Sequence, residues 1–293
     1  MLHADDTSPI ITSPTPIGFA NKINIVFAKV NEWFRNNLLS PYFNKTTYLK
    51  FRTKNSQKLD LNITVQNNQI TNSTNTKFLG LTIEEISSWK CHINHILWRL
   101  RLACWAIKVI TPIMSEDNLK MIYYSYVHSI MTYDIISWGN SPHSIDIFKI
   151  QKWIIRIMTK SRSRDSCGQL FRRLELLPLQ SQYIFYLLYF VVKNKDLYTT
   201  NQEIHNITTR LNTNLHPPVC NFTVFQKGAY YSGIKLFNHL PLKIKSLTNE
   251  IKLFKPTLKR CLNLCSFYTV EEYFEYSYNL ESWFLYMHQW NCI

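Results

Sequence analysis

Between residues 17 and 38 apolar side chains recur every three or four positions. Phe19, Ala20, Ile23, Val26, Phe27, Val30, Trp33 and Phe34 fall on one face of a helix. Pro16 suits the first helical position, where its missing N–H is no loss. The period then changes to two. Residues 47–52 and 61–65 alternate, and 78–83 is a third short run, each about the length of a strand. The stretch 1–85 therefore reads as one helix with a few short strands.

Helical spacing returns at Trp89 and holds for most of the remaining length. Trp89, Ile93, Ile96, Leu97, Leu100, Cys104 and Ile107 share a stripe that Thr111-Pro112 ends. A second helix is predicted over 116–137, capped by Ser115, with Glu116 and Asp117 in the first turn where the helix dipole favours anions. A third is predicted over 145–160. Others fit 166–175, 180–196, 228–239 and 249–265, with an irregular stretch at 197–222 rich in Asn, Thr and Pro. The expected fold class is α+β, mostly α.

Charge adds a direction to this outline. The chain carries 33 Lys+Arg against 19 Asp+Glu, a net +14, which suits a polyanionic partner whose counterions are released on binding. The charge is concentrated. Arg156, Lys160, Arg162, Arg164, Arg172 and Arg173 share their segment with the single acid Asp165. Lys243, Lys245, Lys252, Lys255, Lys259 and Arg260 share theirs with Glu250 alone. Beyond Arg260 there is no further Lys or Arg but four Glu, in a tail rich in aromatics. Two basic segments with aromatics between them point to phosphate contacts.

Composition excludes several classes of function. Only 6 glycines are present and they lie far apart, so neither a G-x-G-x-x-G loop nor a G-x-x-x-x-G-K-[ST] loop can be written. The longest apolar run, 183–192, is about half of what a membrane-spanning helix needs. No membrane partner is expected. The first residues lack a charged and then apolar leader, and the 7 cysteines are odd in number, so an intracellular setting, nuclear or cytoplasmic, is expected rather than secretion.

Asp5-Asp6 is the only Asp-Asp pair in the chain. Such a pair at a tight turn can hold a divalent cation against substrate phosphates, although on its own residues Asp-Asp-Thr-Ser-Pro reads first as a polar turn. Its sequence neighbours favour the first use. His3-Ala4-Asp5-Asp6 resembles the Tyr/Phe-Ala-Asp-Asp motif of the reverse-transcriptase palm hairpin. After a helix, Asn44-Lys45-Thr46-Thr47-Tyr48-Leu49-Lys50-Phe51 resembles the Asn-x-x-Lys-Thr type strand of the same enzymes. Lys77-Phe78-Leu79-Gly80-Leu81-Thr82-Ile83, followed by Trp89 and His92-Ile93, is similar to their primer-grip signature. Downstream, the stretch from Tyr124 through Tyr133 to Trp138-Gly139, then Ile150-Gln151-Lys152 and Leu176-Leu177-Pro178-Leu179, resembles the thumb and C-terminal region of jockey-like non-LTR retrotransposon polymerases. The resemblance covers nearly the whole chain.

The resemblance implies an RNA-directed DNA polymerase lineage with an RNA template, a DNA primer and Mg²⁺ or Mn²⁺. Residues 1–86 would be the end of a palm, with short antiparallel strands and one helix. Residues 87–196 would be a helical thumb, and 197–293 a helical C-terminal region. Asp5 and Asp6 would be metal ligands, and Lys45 would lie near the incoming triphosphate. Phe78, Leu79 and Gly80 would seat the primer end, and the basic segments would contact duplex backbone.

The departures also matter. His3 replaces an aromatic, and Asp134 stands where the family usually has glycine. Only four residues precede Asp5, so fingers and a second palm aspartate are expected to lie outside this chain, and the chain alone is expected not to extend a primer. Zinc is not expected. Cys261-x₃-Cys265 and His288-x₃-Cys292 are 22 residues apart, too far for a compact knuckle, and Cys91, His92, His95 and Cys104 fall on or beside a packed stripe. The alternative reading is a stand-alone basic helical nucleic-acid-binding protein without catalysis.

Overall fold

The computed structural model describes residues 2–3, 6–13, 15–56, 63–65, 68–205 and 214–276, and divides the chain into two compact units, Met1–Ser88 and Trp89–Ile293. The fold is mixed α and β, mostly helical, with small mixed and antiparallel sheets.

In the first unit, β1 (Leu2–His3) and β2 (Asp6–Thr7) pair antiparallel, His3 opposite Asp6. Helix α1 (Pro16–Asn36) starts where Thr15 accepts a hydrogen bond from the Gly18 N–H at 3.2 Å, with Pro16 in the first turn. A 3₁₀ turn (Phe43–Lys45) leads into β3 (Thr47–Tyr48). Then come β4 (Ile63–Val65), β5 (Asn68–Asn72), β6 (Asn75–Phe78) and β7 (Leu81–Glu84). The core is small. Ile23 of α1, Ile63 of β4 and Ile70 of β5 are buried, with Phe19, Phe27, Phe43 and Tyr48 packed around them.

Two strand expectations need correction. The strands are not all antiparallel, because β3 runs parallel to the central strand β5 while β4 pairs with it antiparallel. Nor is 78–83 one strand. It is the end of β6, a two-residue turn and the start of β7, because Leu79 (φ 47°) and Gly80 (φ 80°) both turn left-handed, the combination of a type I′ hairpin.

Among the described residues the second unit is built of helices, with a single antiparallel bridge between Thr200 and Leu215. Helix α2 (Lys90–Ile110) buries the predicted stripe from Ile93 to Ile107. After α3 (Glu116–Ile122), whose cap is Ser115 as expected, the chain widens into a π-helical segment, Tyr123–His128, before α4 (Ser129–Thr132) and α5 (Ile135–Trp138). Then follow α6 (Ser144–Met158), α7 (Cys167–Arg173), α8 (Leu179–Lys193), α9 (Asn201–His205), α10 (Thr223–Gln226), α11 (Ala229–Asn238), α12 (Leu242–Lys245), α13 (Ile251–Cys265) and α14 (Val270–Tyr276).

The predicted helix 116–137 is therefore interrupted. Tyr133 is extended and Asp134 sits at φ 46°, ψ 37°, which ends one helix and aims the next differently. Trp138 secures the corner, fully buried, with its indole N–H donating to the Tyr133 carbonyl at 3.0 Å. A left-handed non-glycine residue costs about 1 kcal/mol, and burial also pushes the Asp134 carboxyl above its usual range, with Ser137 hydrogen bonding opposing it. Asp134→Gly is expected to raise stability by about 1 kcal/mol, read as a higher urea midpoint at an unchanged m-value.

Helix α8 lies at the centre. It packs against α5, α11, α13 and α14, and the apolar run 183–192 lies within it. Gly233 lets α11 approach closely, since a Cβ there would meet Val191 Cγ2 at 2.7 Å. One apolar core collects residues from Ile93 to Tyr273, so the stretches on both sides of residue 196 share it. Part of the irregular stretch 197–222 is tied down as well. Asn238 at the end of α11 receives the Leu215 N–H and donates to the Leu215 carbonyl, both at 2.8 Å. Among the described residues no helix is long and apolar enough to cross a membrane.

Candidate nucleic-acid interface

The β1–β2 register places Asp6 opposite His3, while Asp5 lies outside the described residues. Among the described residues no three His, Cys, Asp or Glu side chains gather as a metal site, so the donors in view do not make a two-metal set. Lys45 is exposed at the end of its 3₁₀ turn, its ammonium 5.5 Å from the centre of the Tyr42 ring. It makes no ion pair with a described residue.

The hairpin tip is the most distinctive feature of the first unit. Phe78 is half-buried, whereas Leu79 holds a strained left-handed backbone and leaves 41% of its surface exposed. Type I′ turns favour Asn at this position because its short polar side chain tolerates a positive φ. An exposed apolar residue kept at a strained tip is the pattern of a contact residue. Leu79→Asn is expected to stabilise the first unit by about 1 kcal/mol, measurable by hydrogen exchange of the β6 and β7 amides.

The six cations of the 156–173 segment divide into two kinds. Arg156 is half-buried and its guanidinium donates twice to the Asp165 carbonyl, at 3.0 and 3.2 Å. The Asp165 carboxylate accepts the Arg162 N–H at 2.7 Å. Arg156 thus shapes the loop that presents its neighbours. Arg173 pairs with Glu116 at 2.7 Å. Lys160, Arg162, Arg164 and Arg172 are exposed and make no ion pair with a described residue, so these four are the cations available to phosphate.

The second segment behaves differently. Lys245 turns inward and donates to Asn214 Oδ1 at 2.9 Å and to the Asn238 carbonyl at 2.8 Å, and burial lowers its pKa. It is a bracket for α11 and α12, not a surface charge. Lys255 and Lys259 are exposed but lie over aromatic rings, 5.3 Å from the centre of Tyr189 and 5.8 Å from that of Tyr124.

Beside Lys259 the π segment holds His128, between Tyr124 at 5.3 Å and Tyr186 at 6.5 Å, ring centre to ring centre. Burial, with Lys259 adding to it, pushes this imidazole down to about 4. The folded pKa lies below the unfolded value of 6.5, so the unfolded chain binds more protons between them. Stability should hold above pH 6.5 and fall progressively towards pH 4. Urea midpoints across that range will show it, and His128→Phe should flatten part of the slope.

Other side chains from the motif stretches have a structural part. The Trp89 ring meets His92 at 6.1 Å, and His92 meets Trp138 at 6.3 Å, all edge to face. Gln151 is fully buried. Its Nε2 donates to the Tyr123 hydroxyl and the Leu177 carbonyl, and its Oε1 accepts the Leu179 N–H, each at 2.9 Å. The resemblance marks Gln151 as part of a motif stretch, but helical spacing alone gives no sign of its burial or its three partners.

Among the described residues Cys91, His92, His95 and Cys104 do not gather as a metal site. Cys261 is buried and Cys265 half-buried on α13, and residues 288 and 292 lie outside the described residues. No family model, curated protein or solved structure matches this chain.

Proposed function

We propose that this chain is a portion of an RNA-directed DNA polymerase of the non-LTR retrotransposon type, whose helical unit holds a template–primer duplex. The observation that supports the reading most is that stretches carrying the resemblance meet in space. His92 touches Trp138, next to Gly139, and Gln151 is hydrogen-bonded to Leu177 and Leu179 across more than 25 residues of sequence. These contacts give the motif stretches a common place in the core of the helical unit. The tight turn at Leu79-Gly80 adds to this, since the primer-grip part of the resemblance calls for a hairpin with glycine at its tip.

On this reading Lys160, Arg162, Arg164 and Arg172 meet the duplex backbone and the Leu79 tip meets the primer end. Asp5 and Asp6 would ligate Mg²⁺, which supplies phosphoryl charge neutralisation when bound, together with a carboxylate from beyond the described residues. Binding of a labelled RNA–DNA hybrid across a salt series tests it. Arg162→Ala, Arg164→Ala and Arg172→Ala together should lower the log–log salt slope by about 2–3, whereas Arg173→Ala should change it less because Glu116 holds that side chain. An unchanged slope would remove the patch from the interface.

The alternative, a basic helical binder without a catalytic lineage, would use the same four cations but owe nothing to the hairpin. A hybrid with a recessed primer end separates the two. Leu79→Asn weakens its binding only if the tip seats the primer.

A further inference from the structure

The second basic segment is built for a different partner form from the first. Helix α13 carries Lys252, Lys255 and Lys259 at helical spacing on one stripe, and it contains no acidic residue. All three are exposed and make no ion pair with a described residue. Alongside run four half-buried rings, Tyr189 and Tyr186 on α8 and His128 and Tyr124 on the π segment. Two of the lysines already rest on two of these rings. The acids at its edges are Glu250, at the start of α13, and Glu175, whose carboxylate lies 3.6 Å from Lys120 and whose backbone carbonyl accepts the Tyr124 hydroxyl at 3.4 Å.

We propose that this face, resting on the nucleic-acid reading above, is a track for single-stranded nucleic acid. Bases stack on the Tyr186 and Tyr189 rings, which His128 and Tyr124 back, while Lys255 and Lys259 swing from the rings to the phosphates between them. A duplex has little use for such rings, because its bases are already paired and stacked, whereas an unpaired strand presents a π-face at every nucleotide. An acidic peptide would satisfy the lysines and leave the ring row unused. Tyr124 and His128, four residues apart on the π-helical turn, form one row with Tyr186, and π segments of this kind recur at functional sites. Beside the patch at 160–172 the neighbouring Tyr268 ring is packed edge-on against Phe148 and Phe171 with Lys152 over it, so the exposed cations there suit backbone. The helical unit would then hold a duplex on one surface and a single strand, such as the template on either side of that duplex, on another.

Fluorescence anisotropy of labelled U12, dT12 and a 12-base-pair RNA–DNA hybrid tests this on the full chain. Lys255→Ala with Lys259→Ala should weaken U12 binding about tenfold and lower its salt slope by about 1.4, the single-strand value for two phosphates. Tyr186→Leu with Tyr189→Leu should weaken it about fivefold or more at an unchanged slope. Both pairs should leave the hybrid within about twofold, and the triple arginine variant should do the reverse. A preference of U12 over dT12 assigns the track to RNA, and equal loss in both assigns it to either strand. Thermal melts of each variant verify the fold, and Tyr186→Phe with Tyr189→Phe should retain U12 binding. If the hybrid binds but U12 does not, or if both respond equally to the lysine pair, the track is overturned and the duplex reading stands. If neither nucleic acid binds, the duplex reading fails with it.

Discussion

Gln151→Ala is expected to lower the stability of the second unit by about 3–4 kcal/mol, one of the largest single-residue effects in this chain. The glutamine is fully buried on α6 and ties together the π segment through Tyr123, the turn through the Leu177 carbonyl, and the first residue of α8 through the Leu179 N–H. Gln182 also donates to the Leu177 carbonyl at 2.9 Å, so that acceptor keeps a partner. The Leu179 N–H does not. A buried amide without an acceptor costs roughly 1–3 kcal/mol, and the emptied side-chain volume adds to it. For a unit of this size the loss corresponds to a melting temperature lower by about 10 °C. Gln151→Leu restores the volume but not the acceptor, so it should still cost about 2 kcal/mol. Full recovery by leucine would mean that packing, not hydrogen bonding, holds α6 to α8.

Urea should unfold the chain in two separate steps, the first unit well before the second. Three buried isoleucines, Ile23, Ile63 and Ile70, anchor the first unit. At about 1.5–3 kcal/mol for each fully buried aliphatic side chain, they give a gross gain of less than about 10 kcal/mol to set against the entropy of ordering the chain around them. The second unit buries a continuous core from Ile93 to Tyr273, including Trp138, Tyr183, Phe171 and Phe254. Native-state hydrogen exchange should therefore show α1 and the β6–β7 hairpin opening at low denaturant, while α2, α6 and α8 exchange only on global unfolding. A single transition reported identically by probes in both units would refute this.

The helices most visible in the sequence are those with one clean apolar stripe. Helices α1, α2, α6, α11 and α13 lie close to their predicted ranges because burial of one face dictates the three-and-four spacing, and the central α8 shows itself by its continuous apolar run instead. The break at Asp134 left no such trace, since the apolar spacing continues across it and the left-handed turn is set by Trp138 and its tertiary surroundings. Strands β5 and β6 are Asn-, Gln- and Thr-containing and only 5 and 4 residues long, so pairing rather than propensity makes them strands. In the candidate interface, the charges could be read directly but their partners could not. Arg156, Arg173 and Lys245 are occupied by a carbonyl, a carboxylate and an asparagine pair, each supplied by another element. Only a folded chain separates those fixed cations from the four that remain available.

The internal position of Lys245 has a consequence for chemical labelling. An amine-reactive reagent at neutral pH should modify Lys255 and Lys259 readily and spare Lys245, whose ammonium is held by Asn214 and Asn238. Bound nucleic acid would then protect the first two and leave the third unchanged. Lys245, hydrogen-bonded and half-buried, should react more slowly until α11 and α12 separate, so a single acylation experiment reports occupancy at two lysines and the integrity of the fold at another.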